Sequence, residues 1–255
     1  MKVALLQTEL AWEESDENIA RIDNHISKLE SVPDLIVLPE MFNTGFTMNT
    51  EKNAQAMDGA AVNWMKQKSK ALNTAICGSV IIEEDDNYYN RFLWLDSGEI
   101  KAIYDKRHLF RMADEHHYFS AGKSSPIIDY KGWKIMPRVC YDLRFPVWSR
   151  STDIDLQIYV ANWPSPRIAA WDKLLLARAI ENQCYVIGVN RIGSDGSGKA
   201  YLGHSIVIDP KGNPQTPEKK EDEGWIISEL DLESLNEFRV KFPLAMDADQ
   251  FTIQY

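Results

Sequence analysis

Residues 135–150 read IMPRVCYDLRFPVWSR. An apolar run climbs to Cys140 and then turns polar at Tyr141, Asp142 and Arg144. Free cysteine packs like a small hydrophobe, so taken alone Cys140 reads as inert core filling. A cysteine that does chemistry needs a base or a positive charge nearby and some access to solvent. The question for the remaining sequence is whether it supplies those groups.

Working outward, WKIMPRVC reads as a strand with Cys140 at its C-terminal end. After it come the strand DLQIYVAN, the helix PRIAAWDKLLLARAIEN and the strand CYVIGVNRIG. The helix sets Ile168, Trp171, Leu175 and Ala179 on one face, with Pro166 where a helix start tolerates it. Upstream, VALLQ and LIVLP read as buried strands. Between them Ile19, Ile22, Ile26 and Leu29 recur at helical spacing, with Ser15 as a candidate N-cap. That is a β-α-β unit with a crossover between parallel strands. A helix over 60–72 leads into the strand AICGSVII. YYNRFLWL and EIKAIYD then form a hairpin around DSG. GHSIVIDPKGN and GWIISELD read as closing strands around a turn, with the polar stretch NPQTPEKKEDEG as a solvated loop. No internal repeat or composition shift divides the chain, so the expectation is one α/β domain with mixed sheets over residues 1–255.

Three of the apolar runs end in a reactive group: LIVLPE in Glu40, IKAIYDK in Lys106 and IMPRVC in Cys140. Ligands in α/β sheets collect beyond the carboxyl ends of strands, which gives these residues a meeting place. Their types fit one task. A carboxylate takes the thiol proton, the sulfur attacks an acyl carbon, and an ammonium steadies the oxyanion. The N–H of Tyr141 is a second oxyanion donor, and the carboxylate then activates water.

The segments LPEMF, YDKRHLF and VCYDLRFP, in that order, resemble the three signature segments of the nitrilase superfamily of carbon–nitrogen hydrolases. The resemblance implies a four-layer α-β-β-α sandwich, a Glu40–Lys106–Cys140 triad, and pairing into homodimers. It also places a further glutamate, Glu115 in EHHYFSAG, in an orienting or activating role. The longer strings YDKRHLFRMADEH, RVCYDLRFPVWSR and YVANWPSPR resemble the ω-amidase branch. That branch hydrolyses the terminal amide of 2-oxo acids such as 2-oxoglutaramate or a thioether-bearing methionine-salvage analogue. A deaminated-glutathione amidase, a carbamoylase or a non-catalytic scaffold of the same fold stay open at this point. No cofactor and no metal are expected.

Other residues divide between chemistry and packing. Arg144 either grips a substrate carboxylate as a bidentate fork or pairs with an acid such as Asp142. Trp163 either walls the pocket or packs in the core. Asp114 competes with Glu115 for the role of the second acid. His116 and His117 beside acids raise a metal reading, set aside on the expectation that strand neighbours point to opposite faces. Cys77 and Cys184 lack charged neighbours and read as core. GSDGSGKA (193–200) nearly fits a phosphate-binding loop. Ala200 replaces the magnesium-binding hydroxyl, and YLGHSIVID reads as a strand where that loop needs a helix, so a hairpin turn is expected.

Composition limits the partners. The 255 residues are 44% hydrophobic with a formal charge of −10. This argues against nucleic acid and anionic membrane surfaces and leaves a small-molecule amide as the expected partner. No apolar stretch reaches bilayer length, and MKVALLQTELAWEESDEN makes a poor signal peptide. Three well-separated cysteines make a disulfide framework improbable, so the expected setting is cytoplasmic and reducing.

Overall fold

The computed structural model describes residues 1–216 and 221–254. The chain opens with β1 (Lys2–Gln7), α1 (Ser15–Ile26), β2 (Leu35–Val37), α2 (Thr50–Asn53) and α3 (Ala60–Leu72). The strands β3 (Ala75–Glu84), β4 (Asn87–Asp96) and β5 (Glu99–Asp105) follow. The middle runs α4 (Glu115–Tyr118), β6 (Ile128–Tyr130), β7 (Trp133–Val139), a 3-10 turn at Cys140–Arg144 and α5 (Pro146–Ser149). Next come β8 (Leu156–Ala161), α6 (Ile168–Asn182), β9 (Tyr185–Asn190), β10 (Ile192–Ser194) and β11 (Ala200–Leu202). The chain finishes with β12 (Ile206–Ile208), β13 (Gly224–Glu229) and α7 (Leu232–Lys241).

Two mixed sheets result, ordered β13-β1-β2-β3-β4-β5 and β12-β9-β8-β7-β6, with β10 and β11 forming a separate ribbon. Parallel trios sit inside each sheet, β1-β2-β3 in one and β7-β8-β9 in the other. The strands alternate between two apolar faces, so successive residues feed different layers. Leu5, Val37, Cys77 and Trp94 meet Val139, Ile158, Val160 and Ile187 between the sheets. Leu6, Ile36 and Ile76 turn outward onto Ile22 of α1 and Val62 and Met65 of α3. On the far side Tyr159 and Val186 take Trp171, Leu175 and Ala179 of α6. Each such aliphatic side chain contributes about 1.5–3 kcal/mol on burial. The four layers expected of the sandwich are all present.

Three local expectations change. Ser15 is the first residue of α1, not its cap, and its hydroxyl accepts from the Asn43 side chain at 3.1 Å. It ties the helix start to the loop that follows Glu40. β12 and β13 are not a hairpin: β12 pairs with β9 in one sheet and β13 with β1 in the other. The polar stretch is therefore a crossing between sheets, of which 217–220 lie outside the described residues. The helix α7 was not anticipated. It packs Leu235 against the inter-sheet core, with its N-terminus capped by the Asp231 carboxylate on the Ser234 N–H.

Candidate active site

The topology brings the three reactive ends together. β4 runs antiparallel to β3, and β5 antiparallel to β4, so β5 points the same way as β2 and β3. Glu40 beyond β2 and Lys106 beyond β5 thus leave the same edge of one sheet. Cys140 beyond β7 and Asn162 beyond β8 leave the adjoining edge of the other. Two of these exits are sharp. Met41, directly after Glu40, has φ 44°, and Cys140 has φ 45°. A non-glycine residue in this left-handed region costs on the order of 1 kcal/mol and is held there by its surroundings. The turn aims the sulfur away from the strand axis.

The charged groups form one buried chain. Lys106 Nζ donates to Glu40 Oε1 at 2.9 Å and to both Glu115 oxygens at 2.9 and 3.0 Å. Exposure is 0% for Glu40, 1% for Lys106 and 0% for Glu115, so these charges are paired in the absence of bulk water. Glu40 is further fixed by Asn90 Nδ2 at 2.7 Å on Oε1 and by the Asn162 N–H at 2.8 Å on Oε2. The Cys140 thiol, partly exposed, donates to the Asn162 carbonyl oxygen at 4.0 Å. Burial and the Glu40 charge push that thiol well above its ordinary value, against the opposing pull of Lys106. These influences favour the neutral thiol over the thiolate. Burial acts to lower the Lys106 ammonium, but Glu115 and Glu40 outweigh it and keep the group charged. Burial lifts the Glu115 carboxyl above its usual range, with Lys106 opposing.

Gly122 supports this arrangement from behind. A Cβ there would come within 2.0 Å of the Asp105 carbonyl oxygen, and the Gly122 N–H donates to the Lys106 carbonyl at 3.0 Å. Only glycine permits that approach, which seats the backbone carrying the lysine.

Asp142 does not pair with Arg144, contrary to one expectation. Its buried carboxylate accepts from Tyr104 Oη (2.6 Å), the Val139 N–H (3.0 Å), the His108 N–H (3.0 Å) and His108 Nδ1 (2.7 Å). It clamps the turn that presents Cys140. Burial alone would raise this carboxyl, but the His108 and Tyr104 contacts hold it below its ordinary value. Its stabilising contribution is therefore full above the unfolded value of about 3.9 and is lost as pH falls through the lower folded value. We expect Asp142→Ala to destabilise the fold by about 3–5 kcal/mol through stranded buried donors. Urea unfolding between pH 3 and 6 checks this: the variant's midpoint should be lower at pH 6 and should lose less on acidification than the wild type.

A cavity opens over the sulfur. Its lining includes Lys106, Cys140, Tyr141, Arg144 and Trp163, all singled out from sequence, and also Arg167 and Lys199, which were not. Arg144 lies over the Trp163 ring at 5.0 Å, and Arg167 over Phe110 at 5.1 Å. Among the described residues neither arginine pairs with a carboxylate. Trp163 is buried and walls the cavity at once, its N–H donating to the Arg167 carbonyl at 2.8 Å. Asp114 is exposed and stays outside the charged chain, which leaves the second-acid position to Glu115. The expectation about His116 and His117 rested on a strand, but they belong to the one-turn helix α4. Their donor atoms and that of Asp114 lie within 4.8 Å of one another, and none of the three lines the cavity. Cys77 and Cys184 are buried, as expected.

Asn90 and Asn162 were missed. Asn162 had a signal, a polar residue ending the apolar run LQIYVA in the same manner as Glu40. Asn90 had little, since it lies within β4 and only its burial among apolar neighbours sets it apart.

A carbon-nitrogen hydrolase family model matches residues 2–240. The chain belongs to the carbon–nitrogen hydrolase family. This carbon–nitrogen hydrolase is 47% identical over 254 residues to the omega-amidase YafV of Escherichia coli K12, covering 99% of this chain and 98% of that protein. It is 35% identical over 251 residues to a 2-oxoglutaramate amidase of Bacillus subtilis 168, covering 96% of each. Among solved structures, a CN-hydrolase superfamily protein of Xanthomonas campestris with an arsenic adduct in its active site superposes with a TM-score of 0.96. The two are 40% identical, over 100% of this chain and 99% of that one. The nitrilase-superfamily member Nit3 of Saccharomyces cerevisiae gives a TM-score of 0.86 at 28% identity, over 96% and 94% of the chains.

Proposed function

We propose that this carbon–nitrogen hydrolase is an ω-amidase that removes ammonia from the terminal amide of small 2-oxo acids through a cysteine thioester. The observation that carries the reading is the buried Glu40–Lys106–Glu115 chain set against Cys140 beneath a mouth of cations. The relatives named as an omega-amidase and a 2-oxoglutaramate amidase support the substrate class.

The thiol proton passes to Glu40 as Sγ bonds to the amide carbon. Because burial and the Glu40 charge favour the neutral thiol, transfer and attack occur together. The oxygen of the tetrahedral intermediate takes its negative charge against Lys106 and the Tyr141 N–H. The three ammonium donors go at rest to Glu40 and to both Glu115 oxygens, so the contact with one Glu115 oxygen gives way to this oxygen as its charge develops. Glu40 returns the proton to nitrogen, the C–N bond breaks, and ammonia departs. A water then gives its proton to Glu40 and attacks the thioester, and the C–S bond breaks with reprotonation of sulfur. Glu115 keeps Lys106 charged and aimed.

Arg144, free of a carboxylate partner and resting on Trp163, is placed to take the substrate carboxylate as a planar fork. Arg167 and Lys199 share the mouth and no carboxylate among the described residues lines it, so an α-ammonium is disfavoured. The same reading makes the protein a single catalytic domain and a cytoplasmic homodimer. No helix among the described residues is long and apolar enough to cross a membrane, and the three cysteines are free.

An ammonia-release panel tests the reading with 2-oxoglutaramate, the thioether-bearing 2-oxo amide, a free amino-acid amide and a simple nitrile. The 2-oxo amides should lead in kcat/KM by about 100-fold or more, with Arg144→Met erasing most of that lead. A lead for the nitrile or the amino-acid amide would refute it.

A further inference from the structure

The glycine-rich segment 193–200 shows no phosphate-loop geometry, since β10 and β11 close it as an antiparallel hairpin. It nevertheless reaches the candidate active site, where Lys199 and Tyr201 line the cavity over Cys140.

The hairpin is seated. A Cβ on Gly196 would come within 2.4 Å of the Trp12 indole, so glycine is what lets the tip lie flat on that ring. Ile192 bridges to Glu9 in the loop after β1. The buried Asp195 ties the tip together. Its Oδ1 accepts from the Ser197 N–H at 2.9 Å and the Lys199 N–H at 3.0 Å, and its Oδ2 from Tyr201 Oη at 2.8 Å. Tyr201 is held in turn under the Arg191 guanidinium at 4.8 Å. The glycines and the aspartate thus serve packing and turn closure, not anion cradling by backbone.

The Lys199 backbone is fixed while its ammonium is not engaged. Among the described residues it has no ion pair and no aromatic partner, although it lies at the cavity mouth. An exposed lysine on a loose loop contributes little to binding, because ordering it costs entropy. Here the ordering of the main chain is already supplied by Asp195.

We propose that Lys199 determines specificity by binding the anionic end of the substrate, from a different wall than Arg144. This rests on the functional reading above and deepens it: the preferred substrate is an ω-amide whose far end carries a full negative charge. Asp195 is a positioning residue that acts through Lys199.

The test measures kcat/KM for 2-oxoglutaramate and for the uncharged pentanamide in wild type, Lys199→Met, Lys199→Arg and Asp195→Ala. Lys199→Met should lose about 10–100-fold on 2-oxoglutaramate, mainly through KM, and stay within about twofold on pentanamide. Lys199→Arg should retain most of the activity on the charged amide, and Asp195→Ala should fall between wild type and Lys199→Met. Equal loss on both substrates, or no loss on 2-oxoglutaramate, overturns the proposal while leaving the functional reading intact. A wild type without preference for the charged amide overturns both.

Discussion

Cys140→Ala should abolish ammonia release, by about 10⁵-fold or more, because among the described residues no other cysteine, serine or threonine lines the cavity. The fold should survive. The substitution removes one partly exposed sulfur at about 1 kcal/mol, a few degrees in Tm for a chain of this size. Assays of ammonia beside a thermal melt separate loss of chemistry from loss of structure. Alkylation by iodoacetamide gives a second reading on the wild type. Cys140 should label in the native state, with Glu40 taking the thiol proton as the sulfur attacks, and Cys77 and Cys184 only once urea opens the core, since both are fully buried. Native labelling that spares Cys140, or an alanine variant still releasing ammonia, would end the nucleophile assignment.

Glu40→Gln should lower turnover by about 10³-fold, within the range expected for a lost general base. It should also leave a covalent trace. The Glu40 charge is one of the influences that hold the Cys140 thiol protonated, so a neutral glutamine lets Lys106 favour the thiolate. Sulfur can then still be acylated, though more slowly, with a water molecule in place of Glu40 supplying the proton that the departing nitrogen takes. Release of the acyl group needs a base for water, and that base is gone. Intact-mass measurement after incubation with 2-oxoglutaramate should show persistent acyl-enzyme, and unmodified protein with retained turnover would refute the role. The amide of the glutamine also meets a conflict of its own. Glu40 accepts from Asn90, Lys106 and the Asn162 N–H, and an NH₂ in place of either oxygen faces a donor. A modest fall in stability is expected beside the kinetic loss.

The parts of the site that were legible in the sequence share one property. Glu40, Lys106 and Cys140 each end an apolar run, and a reactive group at the end of a buried strand stands out against its neighbours. The layers followed from the same periodicity, because alternate residues such as Leu5 and Leu6 feed opposite faces. What stayed hidden depends on contacts between distant segments. Nothing near β13 indicates that it pairs with β1 more than 200 residues earlier and not with β12. Asp142 was weighed only against its neighbour Arg144, whereas its partners are Tyr104 in β5 of the other sheet and His108 in the loop after it. Lys199 was set aside with a misleading motif whose Gly193 and Gly196 answer to Glu9 and Trp12. The segment around His116 was misread as strand because four residues are too few to display a helical period.

The β13–β1 pairing fixes how the molecule fails when its end is lost. Six residues of β1 are matched by Gly224–Glu229, and the Met1 amino group reaches the Leu230 carbonyl. A product cut short before residue 224 would bare the main chain of a flat, Val- and Leu-rich strand along its whole length. Such an edge recruits other chains through its open amides and carbonyls. Premature termination there would yield clumped protein in place of a smaller soluble catalyst.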